Sequence, residues 1–503
     1  MTTRAGPMVR LGALALAIVA PFSTAASDAD ADAGLTDCHV AGIRNGVLCG
    51  RLTRPLDPEH AERGTIEVRF VVVPAMARRK LADPVFMLAG GPGQSAIGVA
   101  EQVMPILARL NNRRDIVFVD QRGTGGSAPL LCKEPEDETL AEQSEPERRL
   151  RVVLQCKADL LKLPYLHSEG DLGLFTTSIA VQDLDAVRRR LGAERIDLVG
   201  GSYGSRVALE YQRQFPKTVR RSVIDGVAPP DMALPVSFST DNQASFDSLL
   251  AACAAEPACA KAHSGLRTRF DSLLRSLPRA ITAQNPLTGR TEAFVLTRDL
   301  VLNAVRGALY SPSLASALPE AIEAAVRGDF SGLLGLNAAL QSRKSTRPAI
   351  GMHLSVVCAE DLPRIGFSAD KPGAEFGDSL AATYAQFCAQ WPRGTVPPGF
   401  YTIPPSEVPV LVLSGGIDPV TPPRHGARVA QALGPMARHV VVANAGHGVM
   451  AIGCMRDVVW RFIDASEDRD ALAVDASCAS QVPRPPAFQS VQSASPAGSG
   501  AAR

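Results

Sequence analysis

From about residue 64 to 230 the chain alternates apolar runs, each closed by glycine or aspartate, with stretches of helical periodicity. The runs are "TIEVRFVVV", "PVFMLA", "DIVFVD", "IDLV" and "RSVID". Between them lie segments such as "FTTSIAVQDLDAVRRRLG", in which Ile179, Leu184, Val187 and Leu191 fall near helical spacing. Strands that read as nearly continuous apolar runs are buried on both faces, and parallel strands need a crossover helix between them. The alternation therefore predicts an α/β fold, a mostly parallel sheet with helices on both faces. From 231 to 400 the strand pattern stops. Phe246, Leu249, Leu250 and Cys253 repeat at helical spacing, as do Leu266, Phe270, Leu273, Leu274 and Leu277, then Leu318, Ile322, Ala325 and Val326. The sheet pattern returns with "VPVLVLSGGID" and "RHVVVANAGHG". The expected order is a sheet core over 27–230, a helical cap over 231–400, the rest of the core over 401–480, and a disordered Pro/Ser/Ala-rich tail over 481–503. At 503 residues the length agrees with more than one domain-sized unit.

The first 26 residues read differently. Arg4 and Arg10 precede the apolar "LGALALAIVA", followed by small residues around Ser23, Ala25 and Ala26. This is the pattern of a secretory signal peptide, with an apolar run too short to span a bilayer. All ten cysteines follow it, as five sequence-local pairs. An even count in an exported chain predicts disulfides, and sequential pairing is expected, although sequence does not decide connectivity. There is no C-x2-C spacing and the eight histidines are scattered, so no metal site is expected. With 52 Lys+Arg against 51 Asp+Glu, nothing draws the chain to nucleic acid or an acidic membrane. Periplasmic or secreted residence without stable membrane association follows as the expectation.

One short motif carries chemistry. "VGGSYGSRVALEY" reads G-x-S-x-G at Gly200, Ser202 and Gly204, between a strand and a helix. Glycines at such a sharp turn let the backbone double back and leave the serine oxygen exposed at the apex. A nucleophilic serine also needs a base, a group to orient it and donors for the oxyanion. Asp418 follows the strand of "VPVLVLSGGIDPVTPP", and His447 follows the next strand, in "HVVVANAGHGVM". Ser202, Asp418 and His447 stand in the order Ser, Asp, His. Asp225, in "VIDGVAPP", is the second candidate for the acid. His439 begins its strand, at the wrong end of the sheet, and His425 begins the helix after Asp418. The oxyanion donors are expected from the backbone amides of Tyr203 and Gly91, the latter in "FMLAGGPGQSA". That stretch also fits G-x-G-x-x-A, with Asp120 closing the next strand, and so imitates a dinucleotide-binding unit. Pro92 in the turn, export away from nicotinamide pools and the separate Ser202 turn argue against that reading, so no cofactor is expected.

Taken together, "GGPGQSA", "DQRGTGGS", "GGSYGSRVALEY", "GGIDPVTPP" and "AGHGV" resemble the α/β-hydrolases of the prolyl iminopeptidase and tripeptidyl aminopeptidase family. "VVCAEDLPR" leans toward the tripeptidyl-aminopeptidase branch. Prolyl iminopeptidases commonly carry His before Gly-Gly-Pro-Gly, where this chain has Ala89. The resemblance implies a serine aminopeptidase acting through an acyl-enzyme on peptides with a free N-terminus. It also implies that an acidic residue of the cap binds the substrate ammonium, for which Glu360 and then Asp361 are the candidates. Asp120 and Arg122 are expected to fix loops. Two other readings share the fold: an exported carboxylesterase or amidase using the same triad, and a catalytically silent binding module.

Overall fold

The computed structural model describes residues 1–2, 34–133, 138–341 and 347–489. The signal-peptide expectation therefore lies almost wholly outside the described residues. Nine strands form one sheet: β1 (Thr36–Cys38), β2 (Val47–Pro55), β3 (Thr65–Val73), β4 (Val85–Leu88), β5 (Ile116–Val119), β6 (Ile196–Gly201), β7 (Val219–Asp225), β10 (Val410–Gly415) and β11 (Ala437–Val442). The remaining two, β8 (Arg279–Gln284) and β9 (Thr291–Leu296), pair separately. The spatial order is β1-β2-β3-β5-β4-β6-β7-β10-β11. The pairings from β1 to β5 are antiparallel, and every pairing from β5 through β4 to β11 is parallel.

Residues alternate between two cores, one on each face of the sheet. Phe86, Leu88, Val117, Leu198 and Ile224 meet Leu184, Val187, Val207 and Tyr211 on one side. Val85, Met87, Phe118, Val199 and Leu413 meet Leu107, Leu110, Val458 and Phe462 on the other. Each such side chain contributes about 1.5–3 kcal/mol on burial, so a one-residue register slip would only exchange one apolar face for the other.

The insertion between β7 and β10 has its own apolar core around Phe246, Phe270, Leu273, Val301, Leu318 and Ile322. Among the described residues its regular structure is helical except for the β8–β9 hairpin, which departs from the helical cap expected over 231–400. In β8 the alternation offers one large apolar residue, Ile281, and in β9 Phe294 and Leu296 are the two buried ones, so the apolar signal is short. The turn closes through the Asn285 amide to the Arg290 carbonyl at 2.8 Å, with Gly289 at φ +71°. The far arm of the insertion returns to the main core, where Met352, Leu354, Val356, Cys358 and Trp391 are buried. All ten cysteines pair, in sequential order: 38–49, 132–156, 253–259, 358–388 and 454–478. The first part of the tail departs from the expectation of disorder. Asn444 Nδ2 donates to the Val482 carbonyl at 2.9 Å, and the Phe488 amide donates to the Ser316 carbonyl at 2.8 Å. Residues 490–503 lie outside the described residues. Among the described residues no helix is long and apolar enough to cross a membrane.

Candidate active site

Ser202 sits between β6 and the helix Tyr203–Gln214 with φ +55° and ψ −123°, a conformation an L residue adopts only under strain. Contacts on both sides hold it there. The Ser202 amide donates to the Asp225 carbonyl at 2.8 Å, and the Ser205 amide donates to the Ser202 carbonyl at 2.9 Å. The two glycines of the motif are required sterically. A β-carbon on Gly200 would stand 2.3 Å from the Gly204 carbonyl oxygen, and one on Gly204 would stand 2.1 Å from that of Leu88. Gly201 meets nothing within 4 Å, which matches its place as a free position of the pattern.

Asp418 and His447 come from the loops after β10 and β11. His447 Nδ1 lies 2.9 Å from Asp418 Oδ2. Asp418 is fixed in turn: Oδ1 accepts the amides of Val420 and Thr421, both at 2.9 Å, and Oδ2 accepts the Thr421 hydroxyl at 2.7 Å. Burial alone would raise the Asp418 pKa, but the facing imidazole and these donors outweigh it and hold the carboxyl below its ordinary value. Burial likewise works against a charged His447, and the Asp418 carboxylate reverses the sign, leaving the imidazole raised. The ring packs beside Gly226, where a β-carbon would stand 3.2 Å from His447 Cε1. Gly226 follows directly on Asp225, whose carbonyl holds the Ser202 amide, so base and serine are mounted on one turn.

Asp225, the second candidate acid, makes different contacts. Its Oδ2 accepts the amides of Val449 at 2.7 Å and Met450 at 2.9 Å. It anchors the histidine's loop through the backbone, and burial pushes it up to about 6 against those donors. The other two histidines are engaged away from the serine: His439 with Ser414 at 3.0 Å and His425 with Asp241 at 2.8 Å.

The Gly90–Gly91 turn runs along the serine. A β-carbon on Gly90 would stand 3.3 Å from Ser202 Cβ, and Gly91 has φ +112°. Tyr203 opens its helix, so its amide has no intrahelical acceptor and sits at the positive end of the helix dipole. Tyr203 follows Ser202 in the chain, and Gly91 follows the glycine that packs against it. The loop's other face is filled by the cap: the Ala349 amide donates to the Gly93 carbonyl at 2.8 Å. Asp120 ties the Ser95 hydroxyl at 2.6 Å and the amides of Ile97 and Gly126. Arg122 is fully buried on Asp183 and the carbonyls of Pro55, Leu56 and Leu174. Both hold loops.

Glu360 and Asp361 are not where an ammonium-binding pair must be. Both are fully buried, in a π-helical turn spanning Val357–Asp361, and both face Arg206 on the serine's own helix. Arg206 reaches Asp361 at 2.8 and 3.0 Å and Glu360 at 3.4 Å. Glu360 also accepts the Thr177 amide at 2.7 Å and its hydroxyl at 2.9 Å, while that hydroxyl lies 2.6 Å from the Tyr203 phenol. Burial pushes Glu360 up to about 7 against the pull of Arg206. The expectation that these carboxylates meet a substrate amine is corrected: they brace the nucleophile helix from behind.

Sequence reasoning missed Thr421 and Tyr310. The Thr421 hydroxyl lies 3.0 Å from His447 Nδ1, and "DPVTPP" could have flagged it. Tyr310, in the cap, accepts the His447 amide on its carbonyl at 3.0 Å and sets its ring edge-on to the imidazole at 5.2 Å. Its contact spans more than a hundred residues and leaves no local signal.

A mostly parallel sheet with a serine on a strained strand-to-helix turn and an Asp–His pair on later loops defines a hydrolase class. The chain belongs to the α/β-hydrolase fold family, whose model matches residues 83–452. It is similar to the serine protease Hip1 of Mycobacterium tuberculosis (strain ATCC 25618 / H37Rv), 25% identical over 426 residues, 78% of this chain and 80% of the relative. The tripeptidyl aminopeptidase of Streptomyces lividans is 28% identical over 194 residues, 37% of this chain and 36% of the relative. Carboxylesterase B of Mycobacterium tuberculosis (strain CDC 1551 / Oshkosh) is 26% identical over 423 residues, 77% and 78% of the two chains. The chain is a hydrolase whose relatives include named serine peptidases.

Proposed function

We propose that the protein is an exported serine peptidase that cleaves short peptides near a free N-terminus through an acyl-enzyme. The observation that carries the catalytic reading is the Asp418–His447 hydrogen bond at Nδ1, beside a serine on a strained elbow. With Nδ1 committed to Asp418, Nε2 is the nitrogen that takes the Ser202 proton as Oγ attacks the scissile carbonyl. The amides of Gly91 and Tyr203 hold the tetrahedral oxyanion, His447 returns the proton to the leaving amine, and water repeats the cycle to free Ser202. Support for the free-N-terminus reading comes from the tripeptidyl aminopeptidase relative and the motifs shared with that family. Five disulfides among the described residues support export into an oxidising compartment.

A second reading, a carboxylesterase or amidase on small molecules, is favoured by one observation: the relative named carboxylesterase B aligns with 77% of the chain. A panel of chromogenic amino-acid, dipeptide and tripeptide amides, free and blocked at the N-terminus, with matched esters, separates the two. Preferential turnover of free-N-terminus amides supports the first; turnover of esters alone overturns it. Ser202→Ala should abolish labelling by a fluorophosphonate and leave only the roughly 10³–10⁴-fold rate over water that binding and the oxyanion hole supply. Full activity in that variant would sink both readings.

A further inference from the structure

Four side chains of the cap, His353, Tyr384, Tyr310 and Arg306, connect to the loops around the serine. On the Gly90–Gly91 side, His353 Nδ1 lies 3.2 Å from the Pro92 carbonyl oxygen and its Nε2 lies 2.7 Å from the Tyr384 phenol. Burial takes His353 down to about 4, so it stands there as a neutral hydrogen-bonding post. On the other side, Tyr310 packs on His447. Arg306 lies one helical turn before Tyr310, on the helix Arg298–Leu309, and interacts electrostatically with both tyrosines. All four side chains are partly exposed.

Arg306 has an unusual environment for a cation. Its one hydrogen bond is neutral, Nη2 to Asn303 Oδ1 at 2.8 Å, and it makes no ion pair among the described residues. Its charged neighbours are Arg149, a second cation likewise without an ion pair among the described residues, and Asp299, beyond ion-pair distance. Burial disfavours the charged guanidinium, and Arg149 adds to that. Desolvating a charge without a partner is costly, and two like charges side by side raise that cost. Elsewhere in this chain the buried arginines Arg114, Arg122 and Arg206 each carry carboxylates. Arg149, Asn303 and Arg306 line one small pocket with Asp299, and Arg149 and Asn303 also line an adjoining cavity of about 440 Å³, whose walls carry Glu138 and Glu142 and do not include Arg306.

We propose that Arg306, assisted by Arg149, is a carboxylate-binding subsite that selects substrates with a negative charge near the scissile bond. The proposal rests on the hydrolase reading of Ser202. A planar guanidinium presents a fork that matches a carboxylate, and Asn303 holds it in place. The carboxylate could be an acidic side chain at the residue being released or the free C-terminus of a short peptide.

Two substrate pairs distinguish those sources. One is a Glu against a Gln chromogenic amide with a neutral leaving group; the other is a short alanine peptide with a free against an amidated C-terminus. The readout is the kcat/KM ratio within each pair for wild type, Arg306→Gln, Arg306→Lys and Arg149→Gln. The expected result is a carboxylate preference of about tenfold or more in at least one pair. It should collapse toward one in Arg306→Gln, recover in part in Arg306→Lys and weaken in Arg149→Gln. Should Arg306→Gln fail to fold, judged by loss of fluorophosphonate labelling at Ser202, the lysine and Arg149 variants carry the same ratio test. Labelling and turnover with no preference in either pair, or with a preference that survives these substitutions, overturns the subsite alone. Absence of labelling and of turnover in wild type overturns the hydrolase reading and this subsite with it.

Discussion

Gly204 shows how little freedom a single residue of the serine turn has. The 2.1 Å gap between its virtual β-carbon and the Leu88 carbonyl oxygen involves backbone on a central strand, which cannot give way as a flexible side chain could. Gly204→Ala is therefore expected to be insoluble, or to lose fluorophosphonate labelling, whereas Gly201→Ala, in open space, should label like wild type. Equal labelling of both variants would refute the steric account. The two acids give a second contrast. Asp418→Asn removes the group that fixes the imidazole tautomer and should lower kcat by up to about 10⁴-fold with little change in thermal midpoint. Asp225→Asn disturbs the Val449 and Met450 amides instead and should lower the midpoint more than kcat; the reverse pattern would exchange their roles. Ser202, Asp418 and His447 were legible because each sits just past an apolar run, where this kind of sheet presents its functional groups. Thr421 and Tyr310 were not, because one is an ordinary turn threonine and the other belongs to a distant helix.

At the scale of elements, the turn Val357–Asp361 explains why Glu360 was misread. The resemblance calls for an acidic residue of the cap, and the two acids that follow this apolar run meet that description. In the folded chain the segment is a widened helical turn buried against the serine's helix, and Arg206 on that helix is the partner that makes such burial tolerable. A sequence shows the two carboxylates but not the arginine some 150 residues earlier that will face them. Ammonium binding and bracing predict different outcomes for Glu360→Gln. Bracing gives equal losses of kcat/KM on free-amine and blocked substrates and a lower thermal midpoint. With Asp361 still holding Arg206, the cost should fall at or below about 3 kcal/mol, the low end for breaking a buried pair. Loss confined to free-amine substrates with an unchanged midpoint would restore the ammonium-binding role. The central strands were legible for the opposite reason: buried on both faces, they carry their own apolar signature. The β8–β9 hairpin is half exposed, and its apolar residues Ile281, Phe294 and Leu296 are too few and too spread out to give such a signature.

At the scale of the whole molecule, the cap and the sheet are joined at the histidine. The His447 amide is satisfied by the Tyr310 carbonyl of the cap, its Nδ1 by Asp418 after β10, and its loop by Asp225 at the end of β7. The pH response of the protein should therefore report this junction. His447 is raised in the folded state, so its contribution to stability is full below the unfolded value of about 6.5 and is lost as pH rises through the folded value. Asp418 is lowered, so its contribution is full above the unfolded value of about 3.9 and is lost as pH falls through the folded value. Their mutual stabilisation is thus fully present only between about pH 4 and 6.5. Catalysis needs the neutral imidazole, so the acid limb of kcat/KM should lie above about 6.5, where the pair's contribution to stability is already declining. The check is the thermal midpoint of wild type against His447→Gln across pH 3 to 9, beside the pH profile of kcat/KM for wild type and Asp418→Asn. The midpoint difference should be largest inside the window and shrink on both sides, and the limb should move to lower pH when the Asp418 charge is removed. A limb unmoved by Asp418→Asn, or a midpoint difference that does not change with pH, would mean that the two side chains are not coupled as the 2.9 Å contact requires.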